Sequence, residues 1–171
     1  MATIVTRAAK GSPLTFSEMD SNFSNLDLYI GGIYYTTSSA RTINNSTPKI
    51  IFETLVFDDG GVSPWFNSAT GVFTAPSNGL YLISSGIQTL SVNISATQSF
   101  STVFTVNNSI VGQFGQVVGT GNASSFYNIS SGIPRRLNQG DLVDVRAFCT
   151  TSTTSSFVGY QNFISIVRLG S

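Results

Sequence analysis

From residue 33 to the C-terminus, the chain consists of short runs of β-forming residues that alternate with clusters of turn-forming residues. The clusters are rich in glycine, proline and asparagine, as in Pro76-Ser77-Asn78-Gly79 and Asn138-Gln139-Gly140. Many short strands at this spacing are typical of an all-β sandwich or barrel. The Thr/Ser run at 150–156 is predicted to be a solvated loop. We predict strands at 33–37, 50–57, 71–74, 80–90, 100–106, 110–118, 125–133, 142–148 and 162–169.

Few side chains are charged, and this restricts the partners that the chain can bind. Only 9% of residues are Asp, Glu, Lys or Arg, whereas an average soluble protein has roughly 25%. Nucleic-acid binding needs a basic face, and the sequence clusters its basic residues only at Arg135-Arg136. We therefore expect no nucleic-acid partner. Because the formal net charge is zero, self-association is favoured, and this points weakly to an oligomer.

Two of the predicted strands are apolar on both of their faces. Segments 80–83 and 163–167 have apolar residues at nearly every position, whereas polar residues are interleaved in 100–106 and 142–148. The latter two should each have one face largely in water. A strand that is apolar on both faces must be covered on both, and no helix remains in this part of the sequence to do so. We expect a second copy of the chain to cover the residues Leu80, Leu82, Phe163, Ser165 and Val167.

A helical pattern precedes the β-rich part. Thr15 and Glu18 have the S/T-x-x-E spacing of a capping box, in which each side chain accepts a hydrogen bond from the backbone N–H of the other residue. Apolar residues then recur at the intervals of a heptad seam. The seam is Phe16, Met19, Phe23, Leu26 and Ile30. The predicted helix spans 16–30 and is too short to be stable alone, so the seam packs either on the chain's own β-domain or on a partner.

Two groups of residues in the β-rich part resemble a known family. The first follows the order Phe, two residues, Pro, two residues, Gly, one residue, Tyr, and is similar to the signature of the complement component 1q globular head. The second resembles the entry to that family's penultimate strand. The residues concerned are Phe73, Pro76, Gly79, Tyr81, Gly140 and Asp141. This family belongs to the tumour necrosis factor superfamily, so the resemblance implies a two-sheet jelly-roll sandwich of about ten strands that forms a homotrimer.

The N-terminal sequence resembles a second family. Residues 6–26 are similar to a segment at the start of many tailed-bacteriophage fibre proteins, notably those of cyanophages. In that family the segment precedes varied C-terminal heads. The resemblance implies a virion-attachment or trimerisation segment over 1–32 and a head over 33–171. The residues implied in docking on other virion proteins are Arg7, Lys10, Phe16, Met19, Phe23 and Leu26.

Together the two resemblances imply a structural protein of a virus particle, synthesised in the host cytoplasm. Its N-terminus would dock on the particle, and its trimeric head would be exposed for adhesion to a host-surface glycan or protein. Exposed aromatic residues such as Trp65, Phe126 or Tyr160 could stack on sugar rings, although core packing is the commoner role of each. An alternative is a purely architectural or decoration protein without a receptor. A carbohydrate-active enzyme is the least favoured reading.

The residues available for chemistry favour a protein that is not an enzyme. Histidine is absent, which removes the commonest general base and most transition-metal ligands. Cys149 is expected to be a small buried hydrophobe. Calcium is the one cofactor considered, with Asp58 and Asp59 as weak candidates, but Asp58-Asp59-Gly60-Gly61 is more typical of a turn. We expect neither a signal peptide nor a transmembrane helix, because no apolar stretch approaches about 18 residues.

Overall fold

The computed structural model describes residues 11–19, 32–59, 63–119, 121, 125–151, 153–155 and 161–170. Within these residues the chain forms twelve strands, one helical turn over 16–19 and one 3-10 turn over Ser63–Trp65. The strands are β1 (Gly32–Thr36), β2 (Thr42–Ile43), β3 (Thr54–Asp59), β4 (Phe66–Asn67), β5 (Val72–Thr74), β6 (Gly79–Gln88), β7 (Ser99–Val106), β8 (Ser109–Val118), β9 (Asn128–Leu137), β10 (Leu142–Cys149), β11 (Thr153–Thr154) and β12 (Phe163–Gly170).

Ten of the described strands form two five-stranded antiparallel sheets. The front sheet has the order β3-β1-β12-β6-β9, and the back sheet has the order β4-β5-β10-β7-β8. Strands β2 and β11 form a small separate sheet. Most neighbours within the two large sheets are far apart in the sequence, so the strands cross between sheets rather than form simple hairpins. The predicted all-β sandwich of about ten strands is confirmed.

Alternate residues of both sheets point into one core between them. Phe73, Phe100 and Phe104 enter it from the back sheet, and Tyr81 and Ile83 enter it from the front sheet, all with at most 1% of their surface exposed. Burying a large apolar side chain contributes about 1.5–3 kcal/mol to folding. This core therefore accounts for most of the hydrophobic stabilisation of the described part of the chain.

The two ends of the sandwich differ in the length of their connections. At one end, the turn end, short turns over 75–78, 107–108 and 138–141 join the strands. At the other, the loop end, the connections are the longer stretches 37–53, 89–98, 119–127 and 150–162. Gly32 pairs with Val167, and Gly170 pairs with Leu80. The chain therefore enters β1 and leaves β12 at the turn end.

The strand predicted over 50–57 is wrong in its first half. The backbone N–H of Ile50 donates to the carbonyl of Val145 in the back sheet, at 2.9 Å, whereas β3 begins at Thr54 in the front sheet. Ile50 and Phe52 are fully buried. The chain therefore crosses from one sheet to the other within 50–57, a run in which only Glu53 and Thr54 are polar, and periodicity along the sequence does not reveal the change of sheet.

Two further segments differ from the prediction. Strand β9 is displaced towards the C-terminus and contains Pro134, which is tolerated because β9 is an edge strand. The Thr/Ser run at 150–156 is not simply a solvated loop. Within it, β11 pairs with β2, and the fully buried Ser155 accepts a hydrogen bond at its Oγ from the backbone N–H of Arg41, at 2.8 Å.

Candidate functional site

The residues of the first family motif meet in the core at the turn end. The rings of Phe73 and Tyr81 are 5.9 Å apart in an edge-to-face arrangement, and both are buried. The hydroxyl of Tyr81 donates to the carbonyl of Ser77, at 2.9 Å, within the turn that contains Pro76. Gly79 is needed for close approach, because an added Cβ would lie 2.6 Å from the carbonyl oxygen of Gly170.

The second motif packs directly against the first. The N–H of Gly140 donates to the carbonyl of Ala75, and the N–H of Ala75 donates to the carbonyl of Asp141, both at 2.8 Å. The carboxylate of Asp141 accepts hydrogen bonds from the backbone of Asn138 and from Nδ2 of Asn107, again at 2.8 Å. Gly140 has a φ of +87°, which glycine adopts without strain. The predicted tight turn is confirmed, and the two motifs serve the fold.

The outer surface of the front sheet bears the five residues predicted to lie at an interface. We define the front face as the outward-pointing residues Tyr34, Leu80, Leu82, Phe163, Ser165 and Val167. All six are half-buried, whereas their neighbours Tyr81, Ile83, Ile164 and Ile166 point into the core and are buried. The structure therefore brings the predicted interface residues together on one surface.

The front face combines aromatic rings with small residues. The rings of Tyr34 and Phe163 are 5.4 Å apart, and Ser165 lies between Tyr34 and Ser84 in the strand register. Gly86 lies under the Phe163 ring, because an added Cβ there would overlap it. The absence of a side chain at Gly86 thus allows the Phe163 ring to pack closely against the sheet. An apolar surface of this kind is typical of a protein–protein contact.

Strand β7 and most of strand β10 in the back sheet do not have one face in water as predicted. Val103 and Thr105 on β7 have at most 8% of their surface exposed, and Asp144 on β10 has 6%. Asp144 is paired with Arg146 Nε at 2.8 Å and with Lys49 Nζ at 3.2 Å. The expectation for 100–106 and 142–148 is therefore wrong, because other side chains of the same chain cover these strands.

The ion pairs on the back sheet change the titration of Asp144. Burial by itself raises the pKa of the Asp144 carboxyl. The hydrogen bond from Arg146 and the positive charges of Lys49 and Arg146 act in the opposite direction and leave the pKa lowered. The carboxylate is therefore stabilised in its charged form.

The candidates for metal binding and catalysis are not gathered into a site. Asp58 and Asp59 are the last two residues of β3, not part of a turn, and successive residues of a strand point to opposite faces. The described residues contain no group of three or more potential metal ligands. Cys149 is fully buried, and this burial raises the pKa of its thiol, so it matches the expected small hydrophobe.

The described part of the N-terminal segment contains the predicted capping box. The backbone N–H of Thr15 donates to Glu18 Oε2 at 2.7 Å, and the N–H of Glu18 donates to Thr15 Oγ1 at 3.2 Å. Phe16 is 85% exposed and Met19 is half-buried. The other residues predicted to dock, Arg7, Lys10, Phe23 and Leu26, lie outside the described residues. No helix among the described residues is long and apolar enough to cross a membrane.

The aromatic residues considered for sugar stacking divide into exposed and buried ones. Phe126 at the loop end is 64% exposed and Trp65 is 43% exposed, whereas Phe66 is buried against the ring of Tyr35 at 4.4 Å. Tyr160 lies outside the described residues. The sequence reading missed Tyr34, which belongs to the front face because of its pairing with Ser165.

Comparison with solved structures identifies the fold. The crystal structure of murine APRIL at pH 5.0 aligns with a TM-score of 0.59 and 12% identity, covering 82% of this chain and 99% of that one. Eiger TNF from S. frugiperda aligns at 0.55 and 18% identity, covering 83% and 94%. The globular domain of zebrafish complement 1qA protein aligns at 0.51 and 14% identity, covering 80% and 93%.

These similarities confirm the predicted jelly roll of the tumour necrosis factor and complement 1q type. At such low identity they show the fold and nothing further. No family model matches the sequence, and no curated protein matches it.

Proposed function

We propose that the chain is the subunit of a homotrimeric phage fibre or appendage. Residues 1–32 attach it to the virion, and the jelly-roll head is exposed for adhesion to the host surface. The attachment role comes from the resemblance of residues 6–26 to fibre proteins. The proposal assigns no catalytic step to the head.

The proposed trimer is supported by the half-buried apolar residues of the front face. Its apolar side chains are half-buried in the single chain, although the strands that bear them are central in the front sheet. The back sheet, by contrast, buries its central strands with its own side chains. A second copy of the chain on the front face removes the remaining apolar surface from water, at roughly 25 cal/mol per Å².

The position of the chain ends supports the orientation of the head. The N-terminal segment enters β1 at the turn end, so a head attached through that segment directs its loop end away from the particle. The four loop-end connections contain three charged residues, Arg41, Lys49 and Glu53, and many Ser, Thr and Asn residues. With the exposed ring of Phe126, such a surface suits an uncharged glycan, because hydroxyl and amide groups bind sugar hydroxyls.

The attachment role is tested by removing residues 1–30 and following incorporation into particles. We expect the trimmed protein to remain folded, as judged by circular dichroism, and to be missing from purified virions. The full-length protein expressed in the same way is the control. Trimmed protein that still enters particles would contradict the docking assignment.

The adhesive role is tested by binding of purified full-length protein to host cells. We expect Phe126→Ala to reduce binding about tenfold, the effect of losing one good stacking contact of about 1.4 kcal/mol. Ile110→Ala is the matched control, because Ile110 is 62% exposed but follows the turn at the opposite end of the sandwich. Absence of any host-cell binding would favour the architectural alternative over adhesion.

A further inference from the structure

The front sheet has charges of opposite sign at its two free edges. Strand β3 forms one edge and ends in Asp58 and Asp59, and strand β9 forms the other edge and contains Arg135 and Arg136. Asp59 and both arginines are exposed. Between the edges, the front face is uncharged.

The opposite charges lie at similar heights along the strands. Asp59 belongs to the row of paired residues that continues through Gly32, Val167 and Leu82 to Pro134 on β9. Arg135 and Arg136 are the next two residues of β9 towards the turn end. The vertical offset is therefore about 3–7 Å, within the reach of an arginine side chain.

These charges cannot neutralise each other within one chain. Strands β3 and β9 are separated by three strands, a distance of about 19 Å at about 4.8 Å per strand, which exceeds the physiological screening length of about 8 Å. Arg135 and Arg136 form no ion pair with any residue of the described part. The nearby carboxylate of Asp141 is already engaged by Asn138 and Asn107.

We propose that the acidic edge at β3 of one copy binds the basic edge at β9 of the next, in a ring whose rotation axis runs parallel to the strands. This inference rests on the proposed homotrimer. Rotation about such an axis preserves height, so the turn end of one copy meets the turn end of the next. Each interface then contains one acidic and one basic edge, as a head-to-tail contact that closes into a ring requires.

The exposed apolar residues of β3 support contact along the same edge. Leu55, Val56 and Phe57 are 45%, 59% and 54% exposed, although Leu55 pairs with Tyr35 and Phe57 pairs with Tyr34, with a bulge at Val56 between them. An uncovered apolar edge strand invites aggregation, and a neighbouring copy on β3 would shelter it. Charges at sheet edges can also serve only to prevent edge-to-edge pairing. Charges of either sign would prevent such pairing, so a purely protective role does not explain why the two edges have opposite signs at similar heights, whereas the ring does.

The proposal is tested by measuring the mass of the assembled full-length protein and its variants by analytical ultracentrifugation. We expect Arg135→Glu/Arg136→Glu, and separately Asp59→Arg, to raise the dissociation constant about tenfold or more, because each places like charges at every interface. The two sets combined in one chain restore opposite charges between position 59 of one copy and positions 135 and 136 of the next, and should recover part of the assembly. Added salt should weaken the self-association of the unmodified protein, because it screens the charges at the edges. Gln113→Glu/Gln116→Glu, at exposed positions of β8, controls for the two carboxylates that the arginine reversal introduces.

The outcomes separate this inference from the proposed function. A single-copy unmodified protein would remove the trimer and the charged contact together. An assembled protein whose mass is unchanged by either reversal would overturn the charged contact and leave the trimer standing. Reversals that cause aggregation without dissociation would show that the edge charges are only protective. Circular dichroism of each variant confirms that a loss of assembly is not a loss of folding.

Discussion

Asp144 is the residue whose environment departs furthest from the expectation raised by the sequence. Alternation in 142–148 predicts a water-facing acid, yet the side chain is buried between Arg146 and Lys49. Arg146 is two residues away in the same strand, but the second partner depends on the segment around Lys49 running beside β10, where Lys49 is paired with Arg146. That pairing joins residues about a hundred positions apart, so local pattern could not indicate it.

Replacing Asp144 with asparagine should lower the free energy of unfolding by about 1–3 kcal/mol at neutral pH, because two cations lose their carboxylate partner. The lowered pKa of Asp144 means that its contribution is present above the pKa of an unfolded aspartate, about 3.9. This contribution is lost as pH falls through the folded value.

The measurement is urea unfolding of Asp144→Asn and the unmodified protein between neutral and acidic pH. The difference between them should be largest at neutral pH and shrink in acid, so the acid limb serves as the internal control. A difference that is constant over the whole range would show that packing, and not the ion pairs, sets the effect.

At the scale of elements, the crossing between sheets near residue 50 constrains the neighbouring turn. Gly71 has a φ of +67°, and an added Cβ would lie 2.5 Å from the carbonyl oxygen of Ile50. The mostly apolar segment 50–57 predicted one strand, because composition alone does not show where a chain changes sheets. Glycine at 71 lets the two backbones approach where the crossing occurs.

Gly71→Ala should therefore destabilise the protein more than Gly140→Ala. Both positions have positive φ, which costs a residue with a Cβ about 1–2 kcal/mol, but a Cβ at Gly140 meets nothing within 4 Å. We expect about 1–2 kcal/mol for Gly140→Ala and about 3 kcal/mol or more for Gly71→Ala, measured by denaturant unfolding. Equal losses would mean that the contact with Ile50 relaxes without cost.

At the scale of the whole molecule, the two outer faces of the sandwich are unequal. The back sheet covers its central strands with its own long side chains, and the front face leaves Leu82, Phe163 and Val167 half-buried. The back-sheet strand β7 contains interleaved polar residues and is nonetheless buried on both faces, whereas burial alternates along most of β6 and β12 of the front sheet. The difference therefore arises from the side chains that pack on each sheet. It is this inequality that points to a second copy on one side.

Leu82→Asp should convert the assembled protein to single chains, because a charge at the centre of an apolar contact loses its hydration without gaining a partner. Ile110→Asp is the control, since Ile110 is 62% exposed on the edge strand β8 of the back sheet. Light scattering should return the mass of one chain for the first variant and of three for the second. If Leu82→Asp stays assembled and folded, the front face is not the interface.

The sequence by itself determined the all-β class, most strand positions, the capping box at Thr15 and Glu18, and the motif turns. These depend on residues close together in the chain, whose backbone preferences and hydrogen bonds act locally. Only the tertiary structure decided which strands become edges, where the chain crosses between sheets, and which outer face is already covered. Those features depend on contacts between distant segments, and spacing along the chain does not encode which distant side chains will meet.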